Sequence, residues 1–516
     1  MYIHLRTYGC QMNVLDSQII EGMLSALGYV MTADESAADA VLFNTCSVRD
    51  LSERKVLGKL GTLRHTRKRR PELVLGVCGC MAELSGERLL KKNPHVDFVC
   101  GTRMRHCIPE LLHVAFIRRL QDTLLTKHNK DHLVRLREAF GASPEVAAGQ
   151  AVLPPLIAVG ANQTEALDER IALRPHPWQA FVEIIRGCSN FCSYCVVPHA
   201  RGPEVSRLPL DISSEIRELA AQGCSEITLL GQNVNSYGID LPDSQTTFAD
   251  LLRMVQDIDG IRWIRFVTSN PHDISADLIR AIAECTKVCH QIHFPLQSGS
   301  DRILKLMNRK YTRAEYLEKI NALRAVVPDM AFSSDFIVGF PSETDQDFAA
   351  TRGAMEEVRF ASSFIFKYSP RSNTTAAEMN DDVPVDVKKA WHQELLALQN
   401  RITHELYKDQ VGHTCTVLVE GVSKRNPAML QGRTSDYFNV VFPGDRKLTG
   451  TFVPVKLLRA TPLTIYGECA QSINPADAGP TGLTPGRPST INHHPSTINH
   501  QPSPVHGHST EKESGC

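Results

Sequence analysis

Short apolar runs separated by stretches of helical period occupy residues 1–117. Tyr2-Ile3-His4-Leu5, Ala40-Val41-Leu42-Phe43 and Leu73-Val74-Leu75-Gly76-Val77 have the length and bulk of strands. Such alternation predicts a parallel sheet, whose ligands gather beyond the carboxyl ends of the strands. A polar helix and an irregular stretch over 118–173 read as a connecting segment. Strand and helix alternation then resumes with Ala180–Ile185, Glu226–Leu230, Trp263–Val267, Gln291–Phe294, Ala331–Ile337 and Ser363–Phe366. Six such units predict an open or complete parallel barrel. Helical residues Val385 to Leu406 close it, and the β-branched runs at His413–Val419, Tyr437–Phe442 and Thr451–Val455 predict a small antiparallel barrel. Past Gln471 the chain turns to Pro, Ser, Thr, Asn and His and repeats Pro-Ser-Thr-Ile-Asn-His, a composition with little to bury. The expected fold class is α/β and multidomain: a parallel-sheet α/β domain (1–117), a connector (118–173), a central partial (β/α) barrel (174–404), a small antiparallel β-barrel (407–470) and a disordered tail (471–516).

Composition sharpens this only in places. A chain of 516 residues exceeds one compact domain. Its net charge of -1 neither implies nor excludes a nucleic-acid partner, so local charge must decide. Fifteen cysteines without a signal-peptide pattern argue against a disulfide framework. In a reducing cytoplasm, clustered cysteines are metal ligands, structural thiols or nucleophiles. No apolar run approaches the ~20 residues of a membrane span, so a soluble, cytoplasmic protein is expected.

The run Arg186-Gly187-Cys188-Ser189-Asn190-Phe191-Cys192-Ser193-Tyr194-Cys195 places three cysteines on one loop directly after a strand. A [4Fe-4S] cluster is normally held by four thiolates, so three leave one iron open to a small molecule. A zinc knuckle completed by His199 is the alternative. The spacing resembles the radical S-adenosylmethionine (SAM) superfamily, in which the open iron chelates SAM and reduction yields a 5'-deoxyadenosyl radical. By that resemblance Cys188, Cys192 and Cys195 are the ligands, and Tyr194 is the aromatic residue of the cofactor site.

A second group is dispersed: Tyr8-Gly9-Cys10-Gln11-Met12-Asn13, Asn44-Thr45-Cys46-Ser47-Val48-Arg49 and Gly79-Cys80-Met81-Ala82. Spacing alone says little here, but thiols at successive strand ends of one parallel sheet converge on one site. These segments resemble the N-terminal domain of the methylthiotransferase family, which implies a second [4Fe-4S] cluster on Cys10, Cys46 and Cys80. Cys78 competes with Cys80; the latter is preferred because it follows Gly79 and precedes Met81-Ala82 as in the family. The remaining cysteines, including the helically spaced Cys285 and Cys289, are expected to be packing thiols.

The resemblance to the radical SAM methylthiotransferase family runs from Met1 to about Cys469. Its further landmarks are Val196–Gly202, Leu230–Asn235, Thr268–Pro271, Pro295–Ser300 and Val338–Thr344, at the ends of the predicted barrel strands. It implies Gln232 and Asn233 near SAM, and Ser298 and Asp335 lining the cavity; helix caps or turn anchors are the plainer alternative for each. Arg201 is expected to meet a carboxylate, a phosphate or a surface ion-pair partner. The last barrel resembles a TRAM domain, an RNA-binding module, with an excess of Lys and Arg to track a phosphate backbone and with Tyr437 and Phe438 as a stacking surface; a solvated barrel face is the alternative. The run His65–Arg70 is a second basic patch that contacts tRNA or covers a helix end.

The implied activity is methylthiolation of carbon 2 of N6-dimethylallyladenosine at position 37 of tRNA. It uses two [4Fe-4S] clusters, with SAM serving both as methyl donor and as radical source. The implied partners are the tRNA anticodon loop and an electron donor such as flavodoxin or ferredoxin, with no membrane and a monomeric chain. Relatives acting on threonylcarbamoyl-adenosine or on a ribosomal-protein aspartate are alternatives. A non-catalytic iron-sulfur RNA-binding protein with four ligands per cluster is an alternative of another class.

Overall fold

A computed structural model describes residues 1–47, 50–126, 156–160, 171–241 and 246–470, without the side chains of 121–126. The tail expected to be disordered, most of the connector, Val48-Arg49 and Cys516 lie outside the described residues.

The first domain is a six-stranded, all-parallel sheet ordered β2-β1-β3-β4-β5-β6. Its strands are β1 (Tyr2–Tyr8), β2 (Val30–Met31), β3 (Ala40–Thr45), β4 (Val74–Cys78), β5 (Phe98–Cys100) and β6 (Ile157–Ala158). β3 and β4 are buried at every residue, as central strands covered on both faces must be. Helices α1 (Gln11–Ala26) and α4 (Ile108–Thr126) pack on one face around Leu42, Val74 and Cys78. On the other, α2 (Asp50–Arg69) and α3 (Cys80–Lys92) pack around Phe43, Leu75 and Val77. β6 comes from the stretch read as connector: Ile157 and Ala158 pair with Val99 and Cys100, covering an edge that β5 would otherwise leave open.

The central domain holds the six expected parallel strands, β7 (Gln179–Glu183), β10 (Glu226–Leu230), β11 (Trp263–Phe266), β12 (Gln291–His293), β13 (Ala331–Val338) and β14 (Ser362–Lys367). They form two three-stranded sheets, joined where Ile264 N–H donates to the Lys287 carbonyl and Cys289 N–H donates to that of Ile264. A short hairpin, β8 (Ile185–Arg186) with β9 (Val205–Ser206), caps the first strand. Two short helices, α5 (Val197–Arg201) and α9 (Asp301–Leu306), lie beside the cysteine loop. The outer layer is α6 (Pro209–Ala221), α7 (Phe248–Gln256), α8 (Ala276–Glu284), α10 (Arg313–Val326), α11 (Asp345–Val358) and α12 (Val385–Asp409). Capping boxes at Thr247/Asp250, Thr312/Glu315 and Thr344/Asp347 start three of these helices where Ser/Thr-x-x-acid patterns stand in the sequence.

Just before the last of these caps, Glu343 is buried in the turn after β13. Its Oε2 accepts the N–H groups of Gly339 and Phe340 (3.1 Å for the latter), while Oε1 is buried without a partner. Burial pushes its carboxyl up to about 7. A raised carboxyl retains its proton in the folded state, so stability falls as pH climbs from about 4.5 toward and past 7, by on the order of 3 kcal/mol. Thermal unfolding of the anaerobic protein at pH 5 and pH 8 should therefore show wild type losing more stability than Glu343→Gln. Equal losses would refute a proton on Glu343.

The C-terminal strands β15 (Thr414–Val422), β16 (Met429–Arg433), β17 (Asn439–Pro443), β18 (Phe452–Thr461) and β19 (Thr464–Cys469) close a barrel ordered β15-β16-β17-β19-β18. Four pairings are antiparallel; β17 and β19 close it in parallel. The barrel docks on the central domain through Arg265 of β11, which donates to the carbonyl oxygens of Thr434 (2.8 Å) and Ser435 (2.7 Å). The same guanidinium lies 4.9 Å from the Trp263 ring and 5.0 Å from that of Tyr437, with Glu226 at 3.3 Å. Among the described residues no helix is long and apolar enough to cross a membrane.

Candidate active site

Gly187, at φ 81°, turns the chain from β8 into the cysteine loop, and a Cβ there would sit 1.8 Å from the Pro203 carbonyl oxygen. The loop is held by backbone bonds from Cys188 N–H to Gly202 (3.0 Å), Cys192 N–H to Asn190 (2.9 Å) and Cys195 N–H to Cys192 (3.0 Å). The end of α9 braces it from the other side: Ser193 Oγ donates to the Leu306 carbonyl (2.8 Å), and Asn308 Nδ2 donates to that of Phe191 (2.7 Å). Arg309 follows, its half-buried guanidinium 3.3 Å from Cys192 Sγ and 2.9 Å from the Tyr311 hydroxyl. Burial pushes the Cys188 thiol up to about 11 and that of Cys195 to about 12.

Cys10, Cys46 and Cys80 sit at the carboxyl ends of β1, β3 and β4. Cys10 caps α1, Cys46 N–H donates to the Tyr8 carbonyl (2.8 Å), and Cys80 opens α3. Gly79 makes the last placement possible: at φ 90° it passes Asn44, whose Oδ1 would lie 2.3 Å from any Cβ. Asn44 and Asn13 are fully buried and lock the first two segments together, with Asn13 Nδ2 donating to Asn44 Oδ1 (3.1 Å) and Asn44 Nδ2 to the Asn13 carbonyl (2.9 Å). The Cys46 thiol lies within hydrogen-bonding reach of both Cys10 and Cys80. That proximity holds the Cys10 and Cys80 thiols below their ordinary values, with Arg201 adding to the effect. Cys78 is apart from the three, packed in the apolar layer under α1 and α4.

Arg201 is buried, not on the surface. It donates to Asp16 Oδ2 at 2.7 Å, while Arg105 holds Asp16 Oδ1 at 2.5 Å and lies 3.7 Å from Glu183. This chain of charges joins α1 of the first domain to the strand and loop that carry Cys188, Cys192 and Cys195. All six cysteines, Arg201 and Arg309 open onto one cavity of about 1370 Å³, whose far wall is the C-terminal barrel at Lys424, Arg425, Gln431, Arg433 and Tyr437.

The residues expected around the cofactor divide. Gln232, Asn233, Tyr194 and Asp335 line the cavity. Gln232 Oε1 accepts the Gly187 N–H, leaving its Nε2 buried and unpartnered. Asn233 spends both ends on a turn, donating to Asp273 (2.6 Å) and accepting from Asn270 N–H (3.2 Å). Asp335 faces His293 at 3.3 Å, inside a polar layer with Ser333 and Gln291. Ser298 is not brought to the cavity: it is fully buried, its hydroxyl 3.3 Å from that of Thr351 and accepting the Ser300 N–H. Phe438 is likewise a core residue, edge-on to Tyr407 at 5.2 Å, so Tyr437 alone of the pair faces the cavity. Arg309, Asp16 and His293 carried no sequence signal beyond their type.

The donor chemistry suits iron-sulfur clusters. Among the described residues the group of His, Cys, Asp or Glu ligand atoms that closes to within 4.8 Å is His290, Asp329 and Asp436, so neither cysteine trio has the tight shell a single zinc ion requires. Each trio instead presents three soft ligands at the wall of a shared cavity.

Three families match along the chain: the uncharacterized protein family UPF0004 over residues 2–101, the Radical SAM superfamily over 182–354 and the TRAM domain over 408–469. The tRNA-2-methylthio-N(6)-dimethylallyladenosine synthase of Desulfitobacterium hafniense is 42% identical over 464 residues, 90% of this chain and 96% of its own. Enzymes of the same name from Syntrophotalea carbinolica (41%; 90% and 99% covered) and Thermoanaerobacter pseudethanolicus (42%; 92% and 93%) are similar throughout.

Proposed function

Because this chain belongs to the tRNA-2-methylthio-N(6)-dimethylallyladenosine synthase family of radical SAM methylthiotransferases, we propose that its cavity brings two iron-sulfur sites to one adenine base. The enzyme methylthiolates carbon 2 of N6-dimethylallyladenosine at position 37 of tRNA, using SAM and a [4Fe-4S] cluster. Cys188, Cys192 and Cys195 hold that cluster, and Cys10, Cys46 and Cys80 hold a second. Bound there, the clusters and SAM supply the radical chemistry that an unactivated aromatic C–H demands.

The chain's own residues hold and shield the reactants. Gln232 keeps the cysteine loop closed through the Gly187 N–H, with its amide nitrogen free for a cofactor oxygen. Asp335 and His293 offer hydrogen-bonding groups on the barrel floor. Phe364 and Phe366, with rings stacked at 6.4 Å, give the cavity an apolar wall suited to the prenyl substituent. Tyr437 and Arg433 on the C-terminal barrel close the side by which a flipped base enters. A flavodoxin- or ferredoxin-type donor supplies electrons, and the chain works as a cytoplasmic monomer.

The observation that carries this reading is the single cavity onto which both cysteine trios and the TRAM wall open. Mass spectrometry of tRNA from a deletion strain should show prenylated adenosine without its methylthio group. Persistence of the mark would exclude the assignment.

A further inference from the structure

We propose that the outer face of α2 is a docking surface for the phosphate backbone of the tRNA, separate from the TRAM barrel; this rests on the tRNA reading above. The helix Asp50–Arg69 carries seven Lys or Arg against Asp50 and Glu53. Its buried positions, Ser52, Val56, Leu60, Leu63 and Arg67, follow helical spacing and account for the inner face. Two of its cations are structural: Arg67 pairs with Asp97 at 2.9 Å and Lys59 with Glu35 at 2.9 Å. Lys55, Arg64, Lys68 and Arg69 are exposed and, among the described residues, make no ion pair.

The helix dipole explains only part of this charge. Cations at the last turn complement the negative end of the helix, but Lys55 stands near the positive end and Arg64 in between, where neither gains from the dipole. Phosphates do complement them all. On the same exposed face stand Gly58 and Gly61, and a Cβ at either would meet nothing within 4 Å. Glycine is the poorest helix former after proline, and neither position needs it for packing within the chain. Their absence of side chains leaves a shallow trough between the cations, where a sugar-phosphate strand approaches the helix closely.

The position of α2 fits this role. Its first turn starts four residues after Cys46 and is tied to the central domain by Arg371, 3.3 Å from Glu53. From there its 20 residues run for roughly 30 Å at 1.5 Å per residue. The proposed strand runs from a base held in the cavity along this face toward the basic last turn.

Binding of prenylated tRNA to the full-length, cluster-loaded enzyme at several salt concentrations tests the inference. Lys55→Ala/Arg64→Ala/Lys68→Ala should weaken binding about tenfold or more and flatten the salt dependence by about one unit of slope for each phosphate no longer neutralised. SAM cleavage without tRNA should not change. Gly58→Ala/Gly61→Ala should keep or raise the melting temperature while weakening tRNA binding, which separates impaired docking from impaired folding. A triple variant with wild-type Kd and slope would overturn the inference. Failure of the wild type itself to modify prenylated tRNA would instead overturn the functional reading.

Discussion

Cys80→Ala is expected to retain SAM cleavage but lose methylthio transfer, whereas Cys192→Ala loses both. The trios occupy different domains, so each variant should bind about four irons per chain where wild type binds about eight. Cys78→Ala, only two residues from Cys80, should keep both activities and all the iron. Its thiol belongs to the apolar layer beneath α1 and α4, and its loss leaves only a small cavity costing about 1 kcal/mol. Anaerobic assay of 5'-deoxyadenosine and of modified tRNA, with iron analysis, reads all three. Loss of transfer in Cys78→Ala with retention in Cys80→Ala would reverse the ligand assignment.

The largest stability loss is expected at Asp16. Its carboxylate lies between two buried guanidiniums, Arg201 at 2.7 Å and Arg105 at 2.5 Å. Asp16→Ala leaves both cations buried with their shared anion gone, a cost of roughly 3–5 kcal/mol. Arg201→Met alone leaves Asp16 paired with Arg105 and should cost less, and the double variant, which removes one charge of each sign, should recover part of the Asp16→Ala loss. Denaturant unfolding of the four proteins measures the coupling; simple additivity would show that the pair does not join the domains. Because Asp16 lies in the first domain and Arg201 follows the cysteine loop, Asp16→Ala should also depress methylthio transfer more than SAM cleavage.

Chemistry that is local in the chain was the most legible. Cys188, Cys192 and Cys195 announce themselves by spacing, and Gly187 ahead of them by the turn it must make. Cys10, Cys46 and Cys80 became readable through the rule that ligands gather beyond the carboxyl ends of parallel strands, which β1, β3 and β4 obey, together with the family resemblance of their segments, which alone separated Cys80 from Cys78. What stayed hidden pairs residues far apart. Asp16 and Arg201 are 185 positions from each other, and each alone looks like an ordinary surface charge. Arg309 reaches Cys192 across 117 positions after a helix whose sequence gives no hint of the loop beside it. Ser298 illustrates the opposite error, since a polar residue at a strand end serves the turn there before it serves any ligand.

Arg265 grips the C-terminal barrel by the main-chain carbonyls of Thr434 and Ser435, groups that every residue possesses. Substitution of Thr434 or Ser435 therefore leaves these two bonds in place, provided Tyr437 keeps its ring beside the guanidinium and its left-handed backbone at φ 70°. The joint between barrel and cavity is thus indifferent to which side chains stand at those two positions.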